Sequence, residues 1–151
     1  MNKEFVLYNE ALVLKELGFD EPCFANFFNY VGSKPQLSLP NSSVFGDNYL
    51  FKNSVDNTQN ENLNAVTNKN CSAPLYQQIF RWFEEKYGLF SNILDYPSCS
   101  LRCFFSINKY EHNIFKQEIY NCISHDKTKL YNTRREAELA CLKELIKIVK
   151  I

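Results

Sequence analysis

Glycine is scarce in this chain: four residues in 151, at positions 18, 32, 46 and 88, each isolated. A phosphate-cradling loop needs successive backbone N–H groups turned toward one point, and closely set glycines make that turn; a glycine-rich nucleotide loop is therefore excluded. Net charge is lacking too. Lys+Arg and Asp+Glu number 17 each, so no overall field draws the chain to nucleic acid or to a membrane. No apolar run approaches the ~18 residues of a membrane span. The first residues show no cationic start leading into an apolar stretch and a small-residue cleavage site, and the expectation is a cytosolic protein with no membrane partner. Histidine occurs only at 112 and 125. His125 and Asp126 are adjacent, and neighbours in sequence rarely point at one another; no serine or cysteine is tied to them by a recognisable turn, so no catalytic residue is assigned and the protein is not read as an enzyme.

What is present is hydrophobic architecture. Apolar residues make up 45% of the chain and aromatics 15%, well above a disordered composition. A chain of this length fits one domain, or a compact domain with a small extension, and buries about two-thirds of the surface its unfolded form exposes. Six cysteines, at 23, 71, 99, 103, 122 and 141, are read as reduced thiols in a cytosolic protein, several of them serving as small core side chains. Residues 1–71 carry five basic and eight acidic side chains, residues 72–151 twelve and nine, so the second half is mildly basic.

Three regions follow: an N-terminal helix and β-hairpin region over 1–52, an Asn-rich linker or loop over 53–71, and a core domain over 72–151. Glu4 to Gly18 reads as a helix with Leu7, Ala11, Leu14 and Leu17 on one face and Gly18 as its stop. Cys23 to Tyr30 and Gln36 to Leu39 read as strands about a turn at Val31–Pro35, and Asn48 to Lys52 as a weaker strand. Ser72 to Gly88 reads as the central helix, capped by Ser72, opened at Pro74 and stopped by Gly88; Tyr76, Ile79, Phe80, Phe83 and Tyr87 recur at helical spacing, with Leu75 and Trp82 widening the stripe. Ser91–Asp95, Leu101–Tyr110 and Lys116–Ile123 read as three antiparallel strands, with Glu111-His112-Asn113 in a hairpin link. Thr133 and Glu136 form a capping box before a helix whose buried line is Ala137, Cys141, Leu145 and Ile148, broadened by Leu142 and Val149. The class is α+β: small antiparallel sheets with helices on one face, the C-terminal part running helix, three strands, helix.

Three blocks, Lys15–Phe24, Ala73–Leu89 (with Ala73-Pro74-Leu75-Tyr76-Gln77-Gln78 and Phe80-Arg81-Trp82-Phe83) and Glu136–Lys143, resemble a family of uncharacterised small proteins from bacteriophages and Bacteroidetes-type genomes. The resemblance implies a phage or mobile-element origin and no particular chemistry. The element order of 72–151 is in addition similar to that of double-stranded-RNA-binding domains, which place cations at the start of the last helix to meet phosphates across a groove. Arg134 and Arg135 stand at the matching place, but the next expected cation is Glu138.

Two kinds of candidate site remain. For a nucleic acid or nucleotide, the cations are Arg134, Arg135, Lys143 and Arg81; for a host protein or protein complex, or a second copy in a homo-oligomer, the aromatics are Phe27, Tyr30, Tyr49, Phe104 and Tyr120. Cys99, Cys103, Cys122 and His125 supply the residue types of a zinc site, but Cys103 falls on the apolar face of its strand and the pairing is irregular. No metal and no other cofactor is assigned. The expected function is a non-catalytic accessory protein that binds a host macromolecule in the cytoplasm, with inhibition of a host defence system as one form and nucleic-acid binding as the alternative.

Overall fold

A computed structural model describes residues 4–29, 33–39, 50–53, 70–95, 102–112, 118–125 and 130–150, the last two strands only as backbone over 110–112 and 118–125. The chain divides into two compact units, Met1–Leu75 and Tyr76–Ile151, and is of the α+β class. Unit one holds helix α1 (Tyr8–Glu16) and strands β1 (Asn26–Phe28), β2 (Gln36–Ser38) and β3 (Cys71–Ser72), in the order β2-β1-β3 and antiparallel throughout. Unit two holds helix α2 (Tyr76–Tyr87), strands β4 (Leu89–Asp95), β5 (Cys103–His112) and β6 (Glu118–His125), and helix α3 (Arg134–Lys150); its sheet order is β4-β5-β6.

Helix α1 starts four residues later than the sequence suggests. Phe5 bridges Leu75 and the Val6 N–H donates to the Pro74 carbonyl at 2.9 Å, so the segment before Tyr8 is held extended. Leu7 is therefore exposed rather than part of the buried face, which is made by Ala11 and Leu14. The helix ends as expected. Gly18 takes φ 84°, the Gly18 N–H donates to the Lys15 carbonyl and the Phe19 N–H to the Leu14 carbonyl, and Phe19 and Leu14 are both buried. These are the two bonds of a Schellman motif, with buried Leu14 and Phe19 at the positions of its hydrophobic pair.

The boundaries of the Asn-rich segment differ from the expected linker. Asn53 is buried: its Nδ2 donates to the Phe19 carbonyl at 2.7 Å and its Oδ1 accepts the Ser72 N–H at 2.9 Å. At the other end Asn70 accepts twice, from the Asn29 N–H at its Oδ1 (3.0 Å) and from Lys15 Nζ at its carbonyl (2.7 Å). Residues 53 and 70–71 thus belong to unit one. Ser72 is not a helix cap but part of β3, pairing with Asn26, and its Oγ finds no hydrogen-bond partner among the described residues. The expected hairpin is present, Phe27 pairing with Leu37, but Leu39 lies past the strand end and is exposed. Of the Asn48–Lys52 strand only Leu50–Lys52 is described, and it makes a single bridge, Phe51 to Cys23.

In unit two the apolar stripe of α2 is buried at Tyr76, Ile79, Trp82 and Phe83, with Phe80 and Tyr87 half-buried. Trp82 lies edge-on to Phe83 and Tyr87 at ring separations of 5.1 and 5.5 Å, and Lys86 Nζ sits 4.6 Å above the indole. Gly88, φ 66°, ends the helix and β4 follows at once. In strand β5 Cys103, Phe105 and Ile107 are buried as expected, with Arg102 exposed and Phe104 half-buried between them, but Ser106 is buried as well, so the alternation is broken there. Glu111 and His112 are strand residues, paired with Ile119 and Glu118, not a hairpin link. Helix α2 packs on β4, α3 packs on β5 and β4, and the helices touch each other, so both cover the same face of the sheet. On α3 the buried line is Ala137, Cys141, Leu142 and Leu145; Ile148 and Val149 are half-buried.

Candidate functional site

The four candidate cations do not form one patch. Thr133 caps α3, its Oγ1 accepting the Glu136 N–H at 3.2 Å; Glu136 reaches back with Oε2 to the Asn132 N–H at 3.0 Å, one residue short of the reciprocal bond a capping box predicts. Of the first-turn amides, that of Glu136 is thus met by the Thr133 side chain. Arg134 donates from Nε to Glu138 Oε1 at 3.2 Å, and Arg81 on α2 lies 3.7 Å from Glu85. Arg135 is half-buried and Lys143 is exposed. Arg134 and Lys143 are nine residues apart, two and a half turns, which puts them on opposite sides of α3 and ~13 Å apart along its axis. The cation expected after Arg134 and Arg135 is instead the carboxylate that holds Arg134.

The aromatic candidates separate by burial. Phe27 is buried at 8% exposure, its ring edge-on to Tyr8 at 5.5 Å, and is a core residue rather than a contact residue. Among the described residues the exposed aromatic is Phe24, at 62%. Cys23, Ala25 and Phe27 are buried at a spacing of two with Phe24 between Cys23 and Ala25, whereas Asn26, between Ala25 and Phe27, is buried as well. Leu50, exposed as well, stands one step beyond the Cys23–Phe51 bridge, opposite Phe24. Phe104 is half-buried on the helix-free face of the second sheet, paired with Leu94, which is 45% exposed. Tyr120 pairs with Tyr110 in the backbone register. Tyr30 and Tyr49 lie outside the described residues.

Backbone register also separates the zinc candidates. Cys103 pairs with Asp95 on one side and with Tyr131 on the other, whereas Cys122 pairs at Asn108 and His125 at Ser106. Five residues of strand, roughly 16 Å, lie between the rungs of Cys103 and Cys122, far more than the separation of two ligands on one tetrahedral ion. Cys99 lies outside the described residues. Among the described residues no cluster of three or more His, Cys, Asp or Glu side chains is placed to hold a metal. The thiols of Cys23, Cys71, Cys103 and Cys141 are buried and in no disulfide. Burial pushes Cys71 and Cys141 up to about 12, for Cys71 against the opposing pull of the Lys15 ammonium. Cys103 is raised as well, by burial and then by Asp95, whose Oδ1 lies 3.5 Å from its Sγ. A thiol held neutral at pH 7 is a weak nucleophile and a weak ligand; these three act as core side chains.

Sequence reasoning gave no role to the cluster formed at the open end of β1 and β3. There Tyr8 Oη accepts from Asn29 Nδ2 at 3.1 Å, Asn29 and Lys15 both donate to Asn70, and burial lowers the Lys15 ammonium while raising the Tyr8 hydroxyl. Its bonds join α1, β1 and the residue before β3, and it anchors the chain as it returns to the sheet.

Unit two is thus a two-layer α+β arrangement in the order αβββα, and its helix-free sheet face carries Phe104 and Leu94. The chain matches no family model, no curated protein and no solved structure. No helix among the described residues is long and apolar enough to cross a membrane.

Proposed function

We propose that the chain is a non-catalytic binding protein acting on a host protein or protein complex in the host cytoplasm, as an accessory factor of a phage or mobile element; in its sharpest form it inhibits a host defence system. The observation that carries the reading is a contrast between two kinds of surface side chain. Arg81, Arg134 and Lys147 each stand within 4 Å of a carboxylate on their own helix, whereas Phe24, Leu39, Leu50 and Leu94 expose large apolar surface. Cations already paired along a helix have little attraction left for phosphates, and exposed apolar side chains gain most from a protein surface. The origin in a phage or mobile element rests on the resemblance of the three sequence blocks. The test is capture from host lysate with the tagged chain. A stoichiometric protein that stays bound at roughly 0.5 M salt, where charges are screened within a few Å, is the expected result. Failure to capture any stoichiometric partner overturns the reading.

The order αβββα favours a second reading, nucleic-acid or nucleotide binding through Arg134, Arg135, Lys143 and Arg81. Binding to phosphates weakens steeply as salt rises, through release of counterions. A titration of duplex RNA that is steep in salt and sensitive to Arg135→Ala supports it; a flat one excludes it.

A further inference from the structure

We draw no further inference here: the strongest candidate, the helix-free face of the β4-β5-β6 sheet around Leu94 and Phe104, is an apolar sheet face, and nothing in the structure shows what covers it.

Discussion

Asn53 shows how much one side chain can hold. It is buried at 6% exposure and spends both ends of its amide on backbone groups far apart in sequence, the Phe19 carbonyl and the Ser72 N–H. An alanine there leaves a buried acceptor and a buried donor unmet, each costing ~1–3 kcal/mol. Asn53→Ala is expected to lower the stability of unit one by about 2–4 kcal/mol, read as a shift of the denaturant midpoint with the slope unchanged; a shift under about 0.5 kcal/mol would show that neither bond matters. Asn53→Asp keeps the acceptor for Ser72 but loses the donor to Phe19, so it is expected to destabilise as well. The buried thiols give a prediction in pH. Cys71 and Cys141 are raised to about 12 in the folded chain by burial, above the range of an exposed thiol near 8.5. Between those values the unfolded chain has released protons that the folded chain keeps, so stability is fully present below about pH 8.5 and falls as pH rises toward 12. Cys71→Ala and Cys141→Ala are expected to flatten that alkaline fall in denaturation measured from pH 7 to 11, and both native thiols should resist an aromatic disulfide reagent at pH 8 until the chain unfolds.

At the scale of elements, the ends of helices are set by single residues. Gly18 and Gly88 have φ of 84° and 66°, where a Cβ meets the following carbonyl. Gly18→Ala is expected to cost about 1 kcal/mol and Gly18→Asn less, with thermal melting as the measurement. At the start of α3, Thr133→Ala removes the acceptor for the Glu136 N–H and should cost about 1 kcal/mol, while Thr133→Ser should be nearly neutral. These ends are where the sequence was most legible, since glycine stops and capping boxes act through neighbours in the chain. The buried Cys103, Phe105 and Ile107 of β5 and the buried line of α3 were legible for the same reason, the period of each element lying in its own residues, whereas the burial of Ser106 was not. Strand β3 was not. Its two residues, Cys71 and Ser72, become a strand only because β1 lies beside them, and Ser72 before a proline imitates a helix cap. Asn53 and Asn70 look like loop residues because their value depends on which distant amide each side chain meets. The same distinction governs the candidate site. The spacing of Arg81 with Glu85 and of Arg134 with Glu138 is i,i+4 and readable directly, and it predicts the paired cations that weaken a phosphate site. Phe27 was misplaced because a run of aromatics conceals its own alternation, and a face is decided only once Cys23 and Ala25 are known to point inward.

For the molecule as a whole, the sequence places the start of the second domain at residue 72, whereas the compact units meet between Leu75 and Tyr76. The difference matters physically. Residues 71–75 make backbone contacts with unit one: Cys71 and Ser72 pair with β1, the Ala73 N–H donates to the Ala25 carbonyl, the Pro74 carbonyl accepts the Val6 N–H, and Leu75 bridges Phe5. A fragment ending at 71 keeps only the first of these residues and loses the rest of a sheet edge, leaving the backbone groups of Ala25 and Val6 unmet; one ending at 75 keeps them all. Within residues 76–151 the β4-β5-β6 ladder pairs only strands of that unit. The expected outcome is that 76–151 and 1–75 each unfold cooperatively when expressed alone, with dispersed amide resonances, and that 1–71 does not. If 1–71 folds as well as 1–75, the pairing of residues 72–75 contributes nothing and the boundary belongs where the sequence pattern set it. Two folding fragments also let the proposed binding be divided. Leu94→Asp tests the exposed face of unit two, and Phe24→Asp that of unit one, at positions where a carboxylate replaces a solvated apolar side chain and leaves the core intact. The variant that loses the captured protein names the unit that makes the contact. Loss in neither variant removes the apolar surface from the account of binding.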